Sequence, residues 1–245
     1  MASFPDILGV RLCLKSEDLD QSNIKGKFMN KLSVLTAAAI LSVSGAAASF
    51  AATIVDNSTT GLYNSGIGNA LDNTSAFFPT VGDPTASLAS APDLSAAASS
   101  LGNWLTNPSN PGGTWSGSAV SIPQNWTVGT ETAIIYEIDA GATGMSNVIA
   151  SFGVDNGIAV WLNGVFVGGD QAPGGAFPNE YTYALGSLSA GSNYLQILRE
   201  DHGGGTGYKV SVTGDINVIP LPAGAPLLLT GIAGFAWLRR KTKKA

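Results

Sequence analysis

From Thr132 onward, apolar residues recur at every second position, in runs too short and too often broken by glycine to wind into helices. Thr132 to Asp139 reads TAIIYEID, which puts Ile134, Tyr136 and Ile138 on one face. Asn147 to Gly153 carries Val148, Ala150 and Phe152; Gly157 to Asn163 sets Ile158, Val160 and Leu162 opposite Ala159 and Trp161. Asn163-Gly164 then fits a two-residue turn, because both central residues of a type I′ turn need positive φ, and Val165-Phe166-Val167 returns as the second arm. Asn193 to Arg199 and Gly207 to Thr213 make two further strands, the last with Tyr208, Val210 and Val212 inward and Lys209, Ser211 and Thr213 outward. Short strands separated by polar turns predict an all-β fold, an antiparallel β-sandwich or jelly roll. The sandwich is expected over 83–217, with 52–82 as an N-terminal part of the mature chain.

The stretch from Thr53 to Val128 is polar, small and punctuated by Pro79, Pro84, Pro92, Pro108, Pro111 and Pro123. Within it, Asp93 to Leu105 reads either as a short helix with Asp93 as N-cap or as a loop, since Ser99-Ser100 and Gly102-Asn103 weaken the helix. Trp104, Trp115 and Trp126 are spaced by 11, but the segments between them share no pattern and make no repeat.

Both ends have the character of export signals. Lys31, the apolar run Leu32 to Val43 and Ser49-Phe50-Ala51 have the three parts of a signal peptide over 29–51, with cleavage expected between Ala51 and Ala52. Residues 1–28 carry Asp6, Glu17, Asp18 and Asp20, unlike a signal n-region, and read as a mis-called extension or a disordered leader ahead of Met29. At the other end, the 23 residues from Ile216 to Leu238 hold no charge, enough to cross a hydrocarbon core of about 30 Å as a helix. Five of the last seven residues, Arg239, Arg240, Lys241, Lys243 and Lys244, are basic and would stay cytoplasmic. A transmembrane helix is therefore expected within 218–245, flanking the sandwich as the signal helix does at the front.

Ile219-Pro220-Leu221-Pro222-Ala223 precedes that apolar segment. The order of proline motif, span and basic tail resembles the PEP-CTERM sorting signal of Gram-negative bacteria in its VPLPA variant, with Ile219 where the variant usually has Val. The resemblance implies processing by exosortase after signal peptidase, an inner-membrane precursor, and a final place at the cell surface or outside the cell, in an exopolysaccharide or biofilm setting. Roughly Asp83 to Gly214 is also similar to a domain found in such proteins. The blocks carrying this are Asn103-Trp104, Asn107-Pro108, Thr114-Trp115, Val154-Asp155-Asn156, Trp161 to Gly164, Ala190 to Leu195 and Thr206 to Tyr208. More distantly, Asp155-Asn156, Leu162 to Val165 and the Asn193-to-Thr213 block look like galactose-binding-type jelly rolls. Neither resemblance supplies a catalytic site.

Charge narrows the partners. Between Ala52 and Pro222 thirteen carboxylates face two cations, Arg199 and Lys209, a formal balance of −11 against −5 for the whole chain. Such a surface opposes nucleic-acid phosphates and anionic lipid. The one cysteine, Cys13, precedes the signal, so the mature chain forms no internal disulfide and depends on core burial.

The chemistry-bearing candidates are few. His202 is the one histidine, and no serine has glycine at both −2 and +2, so the hydrolase nucleophile elbow is missing. Glu200-Asp201-His202 is expected to be a solvated loop between strands, and a hydrolase is the least favoured reading. Gly203-Gly204-Gly205-Thr206-Gly207 precedes a strand, where a phosphate cradle needs a helix. Asp155, Asp170, Glu200 and Asp201 offer hard oxygen ligands suited to Ca²⁺, although Asp-Asn-Gly is also an ordinary turn. For a sugar ligand, Asp155, Asn156, Trp161 and Asn163 are the expected contacts, with Trp104, Trp115, Trp126, Tyr181 and Tyr183 as either stacking faces or core. The sequence thus predicts a non-enzymatic exported protein, or alternatively a carbohydrate-binding module.

Overall fold

Wherever apolar and polar residues alternate, the chain is extended and paired. The computed structural model describes residues 51–217 and 231–232. Its strands are β1 (Ala51–Asp56), β2 (Thr60–Gly68), β3 (Ala86–Ser87), β4 (Val120–Ser121), β5 (Glu131–Asp139) and β6 (Met145–Asp155). They continue with β7 (Gly157–Leu162), β8 (Val165–Gln171), β9 (Tyr181–Leu188), β10 (Ser192–Glu200) and β11 (Gly207–Ile216). They form a four-stranded sheet in the order β1-β11-β6-β9 and a seven-stranded sheet in the order β3-β8-β7-β10-β5-β2-β4. Every pairing is antiparallel, so the all-β sandwich expected from the alternation is present.

The inward residues of the two sheets meet in one core: Ile134, Tyr136 and Ile138 from β5, Phe152 and Val154 from β6, Ile158 and Val160 from β7, Tyr208, Val210 and Val212 from β11. A second core lies on the far face of the seven-stranded sheet. There Ala133, Ile135, Ala159, Trp161 and Leu198 pack under Ile67, Leu71, Phe77, Phe78, Leu101 and Trp104. The proline-rich stretch before β5 is therefore a covering layer that buries this sheet on both sides.

Buried polar side chains fasten that layer. Asn64 donates from Nδ2 to the Ser100 carbonyl (2.8 Å), and its Oδ1 accepts from the Thr114 hydroxyl (2.9 Å). Gln196 of β10 donates to the Trp104 carbonyl (2.5 Å) and accepts from the Gly164 amide (2.7 Å).

Several expectations change in detail. The sandwich does not begin at 83: β1 pairs with β11 and β2 with β5, placing Val55 in the inter-sheet core and Ile67 in the outer one. Asp93 to Leu105, left open between a short helix and a loop, holds a 3₁₀ turn, Ser95–Ala97, followed by the one-turn α1 (Ala98–Leu101), which ends at Gly102 with φ 58°. Asp93 accepts from the Ser95 amide (2.9 Å) as a turn residue and is not the N-cap of either short helix. The Asn163-Gly164 turn is as expected, with φ of 50° and 79° and Leu162 opposite Val165. Residues 1–28, the signal segment up to Phe50, the Ile219-to-Ala223 motif and the apolar span with its basic tail, Gly231 and Ile232 apart, lie outside the described residues. Among the described residues no helix is long and apolar enough to cross a membrane.

Candidate functional site

At one end of the seven-stranded sheet, four neighbouring strands bring polar residues together on the covered face. Register sets Gln171 of β8 beside Gly157 of β7, and Gly157 beside Glu200 of β10; Glu131 begins β5 on the other side of β10. Gly157 makes this possible, because a Cβ there would sit 2.6 Å from Glu200 Oε2. Across that gap Gln171 Nε2 donates to Glu200 Oε2 at 2.7 Å. Glu131, Gln171, Glu200 and Asp201 are all at most 1% exposed.

His202 occupies the centre. Its Nδ1 lies 2.7 Å from Glu200 Oε1, and its Nε2 lies 2.8 Å from Asp72 Oδ1 and 3.6 Å from Glu131 Oε1. Asp72 comes from the covering layer, whose Leu71, Phe77 and Phe78 close over the site. The expectation of a solvated Glu200-Asp201-His202 loop is therefore overturned: the covering layer buries all three, and the imidazole reaches Asp72, 130 residues away in sequence. Both Glu131 oxygens are buried without a hydrogen-bond partner among the described residues.

The electrostatics follow from that crowding. Burial pushes Glu131 up to about 7, opposed by His202 and reinforced by Asp72. Burial also pushes Glu200 up to about 7, although its bond to His202 works the other way. Burial alone would lower His202, but its hydrogen bonds to Glu200 and Asp72 hold it above the usual histidine value.

A second acidic group adjoins the first. Asp201 accepts from the Gly129 amide through Oδ2 (3.1 Å), while its Oδ1 is unpartnered among the described residues, as are Asp83 Oδ1, Asn156 Oδ1 and Glu180 Oε2. Burial raises Asp201 to about 6, with Asp155 and Asp83 adding to the effect. The Asp83 carboxylate lies against Gly203, where any Cβ would collide with it.

On the opposite face of β10, Arg199 is fully buried. Its guanidinium carbon sits 4.2 Å from the Trp126 ring centre and 4.7 Å from that of Tyr208, with Tyr63 at 5.6 Å. Nε donates to Thr132 Oγ1 (3.0 Å) and one terminal nitrogen to the Pro123 carbonyl (2.9 Å).

Of the four expected metal ligands, Glu200 joins His202, and Asp201 and Asp155 join the second acidic group. Asp170 is engaged elsewhere, accepting from Tyr183 (2.7 Å) and Ser87 (2.6 Å). The expected sugar contacts do not converge. Asp155 and Asn156 precede β7, whereas Asn163 follows it and is bound into the turn, accepting from the Tyr194 amide (2.8 Å). Trp161 is 1% exposed, wedged edge-on against Trp104 and Phe166, so it is core and not a free stacking face. Tyr181 and Tyr183 belong to the inter-sheet core, and Trp104 is core as well, stacked on the half-buried Trp115. The glycine run leads into β11 but is not a hairpin: β10 lies in the seven-stranded sheet and β11 in the four-stranded one, so the run carries the chain from one sheet to the other.

Asp72, Asp83, Glu131, Gln171 and Glu180 were not among the expected site residues. Glu131 had a signal, since it shares strand parity with the outward Ala133 and Ile135 that the second core buries. Asp72 had none: no spacing rule connects it to His202. No protein family matches the chain, and no curated protein is significantly similar to it.

Proposed function

We propose that this chain is an exported, non-enzymatic surface or extracellular-matrix protein, cut by signal peptidase and by an exosortase, and associated with exopolysaccharide or biofilm. The observation that carries the reading is where the expected cuts fall relative to the sandwich. Ala51 and Ala52 open β1, β11 ends at Ile216, and the Ile219-to-Ala223 motif starts three residues later. Ala51 pairs with Asp215, so the start of β1 and the end of β11 lie side by side; the first cut would remove only the first residue of β1, and the second falls beyond β11. The precursor would be held transiently by its C-terminal span, flanked at the front by the signal helix, and the body would be of jelly-roll type. Intact-mass measurement on protein recovered from the native host should give a chain starting at Ala52 and ending near Ala223. A mature product extending to Ala245 would overturn the processing.

A carbohydrate-binding role is the second reading, favoured by a different place from the expected one. A cleft of about 430 Å³ is lined by Tyr194, Glu137, Asp139, Pro108 and Leu62. A ring beside two carboxylates can stack on a pyranose and accept from its hydroxyls. Binding on a glycan array that Tyr194→Ala abolishes would support it; binding unchanged by that substitution would exclude this cleft.

A further inference from the structure

We propose that Asp72, Glu131 and His202 form a binding site for one divalent first-row transition ion of the Zn²⁺ type, with Glu200 and Gln171 orienting the imidazole. The inference goes beyond the export reading and stands whether or not the tail is processed.

The donor atoms are already gathered. One ligand atom from each of the three residues lies within 4.8 Å of the other two. Zn²⁺ bonds of about 2.0–2.1 Å in a tetrahedral site place ligand atoms roughly 3.3–3.5 Å apart. The separations of 2.8 Å and 3.6 Å from His202 Nε2 bracket that spacing.

The second observation is the state of Glu131. Its side chain is fully buried, and neither oxygen has a partner among the described residues. A protonated His202 would not repair this: its two N–H groups already face Glu200 and Asp72, at 2.7 Å and 2.8 Å. A cation on Nε2, by contrast, faces Asp72 and Glu131 together. A neutral imidazole, two carboxylates and a 2+ ion also sum to zero charge, removing the penalty of burying two anions side by side.

The residues behind the imidazole match how ligating histidines are held. With an ion on Nε2, Nδ1 carries the proton and donates it to Glu200 Oε1, which lies 2.7 Å away. Gln171 fixes the other Glu200 oxygen at 2.7 Å. A nitrogen donor with two carboxylates suits a transition ion, whereas Ca²⁺ takes oxygen donors. Three protein ligands leave a fourth position for water, and Asp72, whose side chain is 21% exposed, marks the entry side.

The test uses the purified full chain, stripped with EDTA and dialysed against Zn²⁺, with bound metal counted by mass spectrometry and thermal unfolding followed in parallel. Co²⁺ serves as a spectroscopic stand-in. We expect one Zn²⁺ per chain, a raised Tm, and a visible Co²⁺ band. Glu131→Gln and Asp72→Asn should each weaken binding by at least about 100-fold, and Glu200→Gln by about 10- to 100-fold. Asp72 is partly exposed, so Asp72→Asn keeps the test valid if Glu131→Gln fails to fold. Absence of stoichiometric Zn²⁺, or binding by Asp72→Asn equal to the parent, overturns the proposal. A response to Ca²⁺ alone, lost in Asp155→Asn and retained in Glu131→Gln, also overturns it and moves the ion to the neighbouring carboxylates.

Discussion

Arg199 shows how a charge can sit in an apolar core. Three aromatic rings present their faces to it, and a hydroxyl and a carbonyl accept from Nε and one terminal nitrogen; the other terminal nitrogen is buried without a hydrogen-bond partner among the described residues, so the rings carry much of the stabilisation. Burial lowers its pKa, yet arginine begins so high that it remains charged. Arg199→Ala should destabilise the sandwich by about 3 kcal/mol or more, combining a core cavity with lost ring contacts, as urea unfolding would measure. Arg199→Lys should recover little of that loss, since an ammonium lacks the planar fork and stacks poorly.

The carboxylates around His202 set a pH dependence in the metal-free protein. Glu131 and Glu200 rise from 4.5 to about 7 and Asp201 from 3.8 to about 6 on folding, and His202 is held above 6.5. Every one of these folded-state values lies above the unfolded one, so the folded state binds more protons. Stability is then greatest below the unfolded values and falls as pH rises from about 4.5 towards 7. The negative charges of Asp72, Asp83 and Asp155 face the same groups and add to the rise. Denaturation of EDTA-treated protein at pH 5 and at pH 7.5 should show the higher midpoint at pH 5.

At the scale of elements, the second core decides what the tryptophans do. On β7 the alternation separates Ile158 and Val160 from Ala159 and Trp161, and a sandwich with one wet face would expose the latter pair. The covering layer prevents that by laying Trp104, Leu101 and Phe78 over them. Trp161→Ala should therefore cost about 3–5 kcal/mol in thermal or chemical unfolding. The β7–β8 turn is equally constrained: Gly164 has φ 79°, and a Cβ there would strike the Leu105 carbonyl. Gly164→Ala should destabilise by more than about 1 kcal/mol, because the left-handed conformation and the contact both oppose it.

Over the whole molecule, stability rests on two cores and no cross-link. The chain has one cysteine, Cys13, and can form no internal disulfide, so its Tm should be unchanged by dithiothreitol in calorimetry. The first and last strands pair, β1 on β11, so the start of β1 lies beside the end of β11 in the four-stranded sheet. Alternation alone made β5, β6, β7, β8, β10 and β11 legible, and the Asn-Gly pair marked their hairpin, because period-2 burial and positive φ are local properties. β9 alternates too, with Tyr181, Tyr183 and Leu185 inward, but it was not among the strands expected from the sequence. The apolar and basic character of the two ends, the acidic balance of the middle and the missing disulfides were likewise properties of the sequence by itself. What only the tertiary structure decided is the covered second face. The covering segment has no periodicity, because it follows the sheet by packing and by single hydrogen bonds from Asn64 and Gln196. Burial of Trp161, the aromatic cage of Arg199 and the meeting of Asp72, Glu131 and Glu200 at His202 depend on contacts between distant segments, and no local pattern encodes such contacts.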